Sequence, residues 1–337
     1  MSAINVGIIG CGGIAGAHMG DFYTQRDDVR VVAAVDQNIE AAARFADRFG
    51  ISRQSVFGSL ADMLEKEPSV QAVDICTPPM LHAEQAKMAA AAGKHVLTEK
   101  PLATDYEQAA DAVKTAQEHG VVFMVSQNYR WRPEYVQAKN LIDSNWIGKM
   151  TMVTTHSLHD WHAFGADGYR KTMPIMSLLE LSIHYIDLFR FLTSSEAVQV
   201  LAKASRSEDS PFSGDTFSTV VVEFSDGCIA NLVTSAELLG ARANWGGETI
   251  IQGTNGTIWL NRDHDYELSA YSRVFGGYMP PSTLSPAKGW FGEPLECFYR
   301  CVRTGEEPPT SGADNLKSLG LVMAAAESAR SGKAVAI

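Results

Sequence analysis

Ile4-Asn5-Val6-Gly7-Ile8-Ile9-Gly10-Cys11-Gly12-Gly13-Ile14-Ala15-Gly16 decides how this chain folds. An apolar run empties into a glycine-rich turn, and a second apolar run, Val29 to Val35, closes on Asp36. Strand, turn, helix, strand and acid in that order make a βαβ unit shaped for a dinucleotide. Gly10 allows the tight turn after the strand. Gly12 lets the backbone approach a pyrophosphate with no Cβ in the way, and Ala15 is small enough for the helix to pack on the sheet. Gly13 and Ile14 open that helix, whose free N–H groups and positive dipole end point at the phosphates. Asp36 stands about 20 residues beyond the glycines, where a carboxylate accepts hydrogen bonds from the adenosine ribose hydroxyls. It repels a 2′-phosphate and no Arg follows it in Gln37-Asn38, so NAD is expected in preference to NADP. The plain alternative is a glycine-rich turn that holds nothing.

At 337 residues the chain is too long for one typical core, which predicts two domains. With 45% hydrophobic and 20% charged residues, its composition is that of an ordinary globular protein. The net charge of -11, without any stripe of Lys and Arg, argues against a nucleic-acid surface. No run approaches the roughly 18 uncharged apolar residues of a membrane span. The sequence begins directly with a strand, lacking the basic region, apolar stretch and cleavage site of a signal peptide, so a cytoplasmic protein with no membrane partner is expected. Cys11, Cys76, Cys228, Cys297 and Cys301 are scattered and odd in number, so reduced thiols are expected. Only Cys297 and Cys301 are close, and no paired Cys or His accompanies them, so no metal site is expected.

Strand and helix signals alternate from Ile4 to Val125, with glycines at 50, 93 and 120 as helix stops. This rhythm predicts a doubly wound parallel sheet with right-handed crossovers. After it come a helix around Tyr135 to Ile142, an alternating strand from Met150 to Ser157, and a long apolar helix from Leu178 to Leu192. Five further strands follow, ending with Gly256 to Leu260, and a last helix runs from about Asp314 to Ala329. Such a half reads as an α+β domain with a mostly antiparallel sheet. Tyr278 to Trp290, rich in Pro, Ser and Gly, is expected to be a loop or lid. The domains expected are 1–126, binding the nucleotide, and 127–337, binding substrate and building the oligomer.

Ligands of open parallel sheets lie beyond the carboxyl ends of the strands. Thr77-Pro78-Pro79 follows the fourth strand and offers an extended, donor-poor backbone to a cofactor groove. Glu99-Lys100-Pro101 follows the fifth. An ammonium there can bind a substrate oxygen and favour the alkoxide-like charge that develops as hydride leaves; a solvated loop lysine is the ordinary alternative. In the apolar helix, Glu180, His184 and Asp187 stand at i, i+4 and i+7 and so share one stripe. They face a cleft or find partners, because burying them unpaired is costly. A narrow solvated face with a satisfied histidine fits the same pattern.

Together these residues resemble the family of glucose-fructose oxidoreductase, inositol dehydrogenase and rhizopine-catabolism proteins (Gfo/Idh/MocA). The resemblance covers nearly the whole length. It is carried by Gly10-x-Gly12-Gly13-Ile14-Ala15 with His18 beyond, Thr77-Pro78-x-x-x-His82, Gly93-Lys94-His95-Val96, Glu99-Lys100-Pro101, Asn128-Tyr129-Arg130, and the helix with His184 followed by Asp187. It implies a Rossmann domain followed by an α/β domain whose large, open-faced sheet makes homodimer or homotetramer contacts. It also implies a catalytic group made of the lysine and an Asp-x-x-x-His pair, which map to Lys100, Glu180 and His184. The family's Asp is Glu180 here, one methylene longer, and Met176 and Ser177 replace the glycines that commonly precede it.

The expected activity is NAD-dependent oxidation of a secondary hydroxyl on a sugar, sugar derivative or cyclitol. His184, with an ordinary pKa near 6.5, takes the hydroxyl proton, Lys100 polarises the oxygen and Glu180 orients the substrate. The expected cofactor contacts are Gly10, Gly12, Gly13, Ile14, Ala15, Asp36, Thr77, Pro78, His82, Glu99, Lys100 and Gln127. Substrate contacts are expected from Tyr129, Arg130 and Arg132 and from the loop His156 to Lys171, which holds His159, Asp160, Trp161, His162, Tyr169 and Arg170. Two alternatives stay open: an NAD-retaining glycosidase that works by transient oxidation and elimination, and a non-catalytic NAD-binding regulator.

Overall fold

Six apolar runs of the N-terminal third pair as parallel strands: β1 (Ile4–Ile9), β2 (Val29–Val35), β3 (Val56–Phe57), β4 (Ala72–Ile75), β5 (His95–Glu99) and β6 (Phe123–Ser126). The protein is described as a computed structural model over residues 3–161, 168–240, 245–286 and 288–337. The strand order is β3-β2-β1-β4-β5-β6, so the winding reverses between β1 and β4. That reversal opens the crevice in which doubly wound sheets hold nucleotides. All four residues of β4 are buried, as expected of a strand covered on both faces.

The crossovers carry α1 (Gly13–Asp21), α2 (Ile39–Phe49), α3 (Leu60–Lys66), α4 (His82–Ala91) and α5 (Tyr106–Glu118). Their starts are written in the sequence. The side chains of Asn38, Ser59 and Asp105 accept hydrogen bonds from the backbone N–H groups of Ala41, Asp62 and Gln108.

The second half begins with α6 (Pro133–Asp143), β7 (Met150–Leu158) and α7 (Ile183–Thr193). It continues through β8 (Ala197–Ser205), β9 (Phe217–Phe224), β10 (Ile229–Ser235), β11 (Glu248–Gly253), β12 (Gly256–Leu260), β13 (Glu267–Ser272) and β14 (Gly277–Thr283). Helices α8 (Gly292–Thr304) and α9 (Gly312–Ser331) and the short strand β15 (Val335–Ala336) end the chain. The nine-stranded sheet runs β14-β13-β12-β11-β7-β10-β9-β8-β15, and β7 and β10 are its parallel pair. Cross-strand register sorts its two faces. Val200, Val222, Ala230, Val153, Ile251, Ile258 and Ala270 form one buried row across seven strands. The neighbouring row, Leu201, Val221, Asn231, Thr154, Ile250 and Trp259, lies on the other face and is exposed or half-buried. A sheet with one covered face alternates in this way.

Two expectations change. Tyr278 to Trp290 is not wholly a loop, because β14 takes its first part and pairs Tyr278 with Tyr271. Pro280 and Pro281 are tolerated there because β14 is the edge strand, where missing N–H donors break no ladder. The division 1–126 and 127–337 also shifts: the compact units are Met1–Asn128 with Ala287–Lys317, and Tyr129–Pro286 with Ser318–Ile337. The chain therefore returns to the first unit with α8, whose residues Pro294, Leu295, Phe298 and Tyr299 are buried.

Candidate active site

At the end of β1 the backbone of Gly10 sits at φ +90, and a Cβ there would lie 2.9 Å from the carbonyl carbon and oxygen of Cys76. Only glycine fits. A Cβ on Gly12 or Gly13 would meet nothing within 4 Å, so the turn is open on the side that a pyrophosphate approaches. Ala15 is fully buried, as helix-to-sheet packing requires, while Ile14 is 41% exposed. Asp36, just after β2, uses Oδ2 to accept the N–H of Cys11 at 3.0 Å and Oδ1 to accept that of Asn38 at 2.8 Å. The carboxylate is thus tied to the glycine turn itself. Burial and the Asp36 charge push the Cys11 thiol up to about 12, so this cysteine of the nucleotide turn stays protonated. A cleft of 590 Å³ lined by Cys11, Gly12, Gly13 and Gly16 also carries Arg44 and Arg48 of α2. These features fit a dinucleotide with its diphosphate over the start of α1.

The next two loops are joined to each other through His82. His82 is fully buried, with Nδ1 2.7 Å from the Pro101 carbonyl oxygen and Nε2 2.7 Å from that of Thr77. Both of its ring nitrogens thus face backbone carbonyls of the two loops. The Thr77 hydroxyl donates to Gln85 Oε1 at 2.6 Å. Lys100 is half-buried and joined to Pro101 by a cis peptide bond. Gln127 is buried, as are Glu99 and His18.

His18 lies one turn into α1 within a polar cluster that the sequence reading did not assemble. Its Nδ1 is 2.8 Å from Asp74 Oδ2 of β4, to which the Tyr23 hydroxyl also donates at 2.9 Å. Tyr299 of α8 approaches the Tyr23 hydroxyl at 2.7 Å, and the Cys76 thiol donates to Asp74 Oδ1 at 3.5 Å. Burial alone would discharge the His18 imidazole, but the charge of Asp74 overcomes it and holds the proton on well above the usual range. Asp74 was the available signal: one carboxylate in Ala72-Val73-Asp74-Ile75 must find a partner.

In the second unit the apolar helix is not uniform. Ser177–Ser182 winds as a π-helix before α7 begins, a widened turn that recurs at functional sites. Glu180, His184 and Asp187 are all buried, yet each has its own partners. Glu180 accepts from the Tyr169 hydroxyl at 2.8 Å and from Arg170 at 3.3 Å. Asp187 receives a two-pronged contact from Arg130, at 2.6 and 2.7 Å, and the Ser318 hydroxyl at 2.7 Å. His184 stacks on Tyr129 with ring centroids 4.0 Å apart. The expected single stripe is therefore three separate attachments.

Of the expected substrate contacts, Arg130 and Arg132 are held by carboxylates, Arg132 by Glu134 at 2.6 Å and Asp265 at 3.3 Å. His159, Trp161, Tyr169 and Arg170 do come together. The rings of His159 and Trp161 are 6.0 Å apart, and the Arg170 guanidinium lies 5.7 Å from the Trp161 ring and 4.6 Å from that of Tyr169. Trp245 adds a further ring 4.8 Å from His159, a contact across the sequence that spacing could not supply. The Ser157 hydroxyl sits 2.9 Å from His159 Nε2, and burial pushes this imidazole down to about 4, so it is neutral. His162 lies outside the described residues. No helix among the described residues is long and apolar enough to cross a membrane.

The family model of the GFO/IDH/MocA oxidoreductases, NAD-binding Rossmann fold, matches residues 4–127, and that of the GFO/IDH/MocA C-terminal domain matches 135–259. D-apiose dehydrogenase of Paraburkholderia graminis is 28% identical over 97% of this chain and 88% of its own length. Inositol 2-dehydrogenase of Rhizobium meliloti is 27% identical over 99% of both. The crystal structure of levoglucosan dehydrogenase with NADH and levoglucosan superimposes with a TM-score of 0.86, at 26% identity over 100% of both chains.

Proposed function

Because this chain belongs to the GFO/IDH/MocA family of NAD-binding oxidoreductases, we propose that it oxidises a secondary hydroxyl of a sugar, sugar derivative or cyclitol. The observation that carries this reading is end-to-end similarity to a D-apiose dehydrogenase and an inositol 2-dehydrogenase, joined to a nucleotide turn left open at Gly12 and Gly13. Bound NAD supplies the hydride acceptor. Lys100 holds the substrate oxygen with its ammonium and favours the negative charge that grows there. His184 takes the hydroxyl proton, its ring plane set by the stack on Tyr129. Glu180, fixed by Tyr169 and Arg170, orients a neighbouring hydroxyl. The aromatic faces of His159, Trp161 and Tyr169 suit the apolar faces of a sugar ring, with Arg130 and Arg132 as buttresses for α7 and α6.

The row of exposed Leu201 and half-buried Val221, Ile250 and Trp259 supports a further proposal, that the chain pairs into a homodimer or homotetramer through this face. Light scattering on the purified protein tests it; a monomer refutes it. The activity is tested by reduced-nicotinamide absorbance with NAD and a panel of D-apiose, inositols, levoglucosan and glycosides. His184→Ala is expected to abolish turnover while keeping NADH binding, and unchanged turnover would sink the assignment. Silence across the panel with NADH bound favours the glycosidase or regulator alternatives.

A further inference from the structure

Lys100 is flanked on both sides by residues that buried histidines hold. On the N-terminal flank, Glu99 Oε2 accepts the backbone N–H of Lys100 at 3.3 Å, while Glu99 Oε1 lies 3.2 Å from His18 Nε2. On the C-terminal flank, the Pro101 carbonyl oxygen lies 2.7 Å from His82 Nδ1. His18 belongs to α1 and His82 to α4, and both side chains are fully buried. His18 is itself anchored on the other side by Asp74, and His82 by the Thr77 carbonyl.

The His18–Glu99 contact is unusual in one respect. His18 Nε2 and Glu99 Oε1 are both buried and neither has an aligned hydrogen bond, although they face each other at ion-pair distance. Buried polar atoms left in that state call for a reason beyond stability, since a methyl-lined contact would cost less. A charge pair set between α1, whose start lines the open nucleotide cleft, and the strand end that carries Lys100 supplies such a reason.

We propose that His18 and His82 are positioning residues that fix Lys100 from both sides, His18 acting through the Glu99 carboxylate and His82 through the Pro101 carbonyl. The inference rests on the reading that Lys100 polarises the substrate oxygen. Small displacements of a catalytic group cost about 100-fold in rate, so the rigidity of these two brackets is what turnover would report.

The test uses full-length His18→Asn, which keeps a donor towards Asp74 and removes the atom facing Glu99, with Glu99→Gln and the double variant. With whichever sugar of the panel is oxidised, each single variant is expected to lose about 10- to 100-fold in kcat. NADH affinity should move by less than about threefold, and the double variant should lose no more than the worse single one, because both break one contact. Losses that multiply in the double variant, or NADH affinity falling as far as kcat, overturn the proposal. A second arm needs no substrate: acetic anhydride acetylation of Lys100, read by mass spectrometry against Lys114, whose side chain is 72% exposed. His18→Asn and His82→Asn are each expected to change that ratio at least about threefold, as a displaced amine changes its surroundings. An unchanged ratio in both overturns the bracket. Full turnover in Lys100→Ala instead strikes the proposed chemistry, while the acetylation ratio still reports on the bracket.

Discussion

Gly10 and Gly12 stand two residues apart in one turn, yet the structure assigns them different consequences on substitution. In Gly10→Ala the new Cβ would lie 2.9 Å from the Cys76 carbonyl carbon and oxygen and from Thr77 Cγ2, at a φ of +90. The backbone conformation costs a non-glycine residue about 1–3 kcal/mol. Relieving the overlap costs a further ~1–3 kcal/mol, since the Cys76 backbone, just past β4, is held by its N–H bond to the Ile9 carbonyl and cannot turn aside. The sum, roughly 2–6 kcal/mol, is a large part of the ~5–15 kcal/mol that holds a typical domain together. At about 2–4 °C per kcal/mol for a unit of this size, the melting temperature should fall by roughly 5–20 °C. In Gly12→Ala the Cβ meets nothing within 4 Å, at a φ of -90 that any residue adopts. The cost there is the poorer helix cap, about 1 kcal/mol. The assay is paired: thermal unfolding without nucleotide, then NADH titration by fluorescence. Gly12→Ala should melt within a few degrees of the parent yet bind NADH at least about tenfold more weakly, because its methyl occupies the approach of the diphosphate. Parent-like NADH affinity in Gly12→Ala would refute the reading of the open turn, and parent-like stability in Gly10→Ala would refute the steric one.

Three further outcomes follow from particular contacts. Asp36→Ala removes the carboxylate that repels a 2′-phosphate and also releases the N–H groups of Cys11 and Asn38; the NADP to NAD ratio of kcat/KM should rise, and an unchanged ratio would refute the cofactor argument. Asp187→Asn leaves the Arg130 guanidinium, 10% exposed, without the charge that holds it; denaturant unfolding should show a loss of about 3–5 kcal/mol, and a loss under about 1 kcal/mol would show the pair to be expendable. His159 titrates at about 4 in the folded protein against 6.5 when free. The unfolded state therefore binds more protons between those values, and the folded state loses up to about 3 kcal/mol as pH falls from 6.5 to 4, with no further loss below. His159→Gln should lose less stability than the parent over that window, and parallel curves would argue against a buried neutral imidazole.

The first unit was legible because its signals are local. Gly10, Gly12, Ala15 and Asp36 each act within forty residues of one another, and the apolar runs that became β1 to β6 are bounded by the glycines and capping residues that end and start helices. The sheet of the second unit was legible to β12 for the same reason, since period-two alternation survives wherever one face is buried. Beyond β12 it failed: β13 went unread, and at β14 Gly277, Pro280 and Pro281 read as breakers; at an edge they serve as guards, because the outer side of the strand has no partner to lose. Helix α8 went unread although its apolar residues are buried in the first unit, since nothing in a local pattern says which unit a helix returns to.

The candidate site divides along the same line. The partners of its residues were not visible in the sequence, because each partner lies far along the chain: Asp74 from His18, Arg130 from Asp187, Tyr299 from Tyr23. Helical spacing placed Glu180, His184 and Asp187 on one stripe, and the π-helical turn at Ser177–Ser182 breaks the period on which that inference depended. Long-range pairing then decides the outcome for each group. Asp187 is met by a guanidinium and a hydroxyl, whereas His184 has its ring plane set by Tyr129. His18 and His82 show the same dependence on distant partners: His18 Nδ1 is fixed by Asp74 of β4 and His82 Nδ1 by the Pro101 carbonyl beyond β5, so each buried imidazole is held by an element that its own local sequence does not announce.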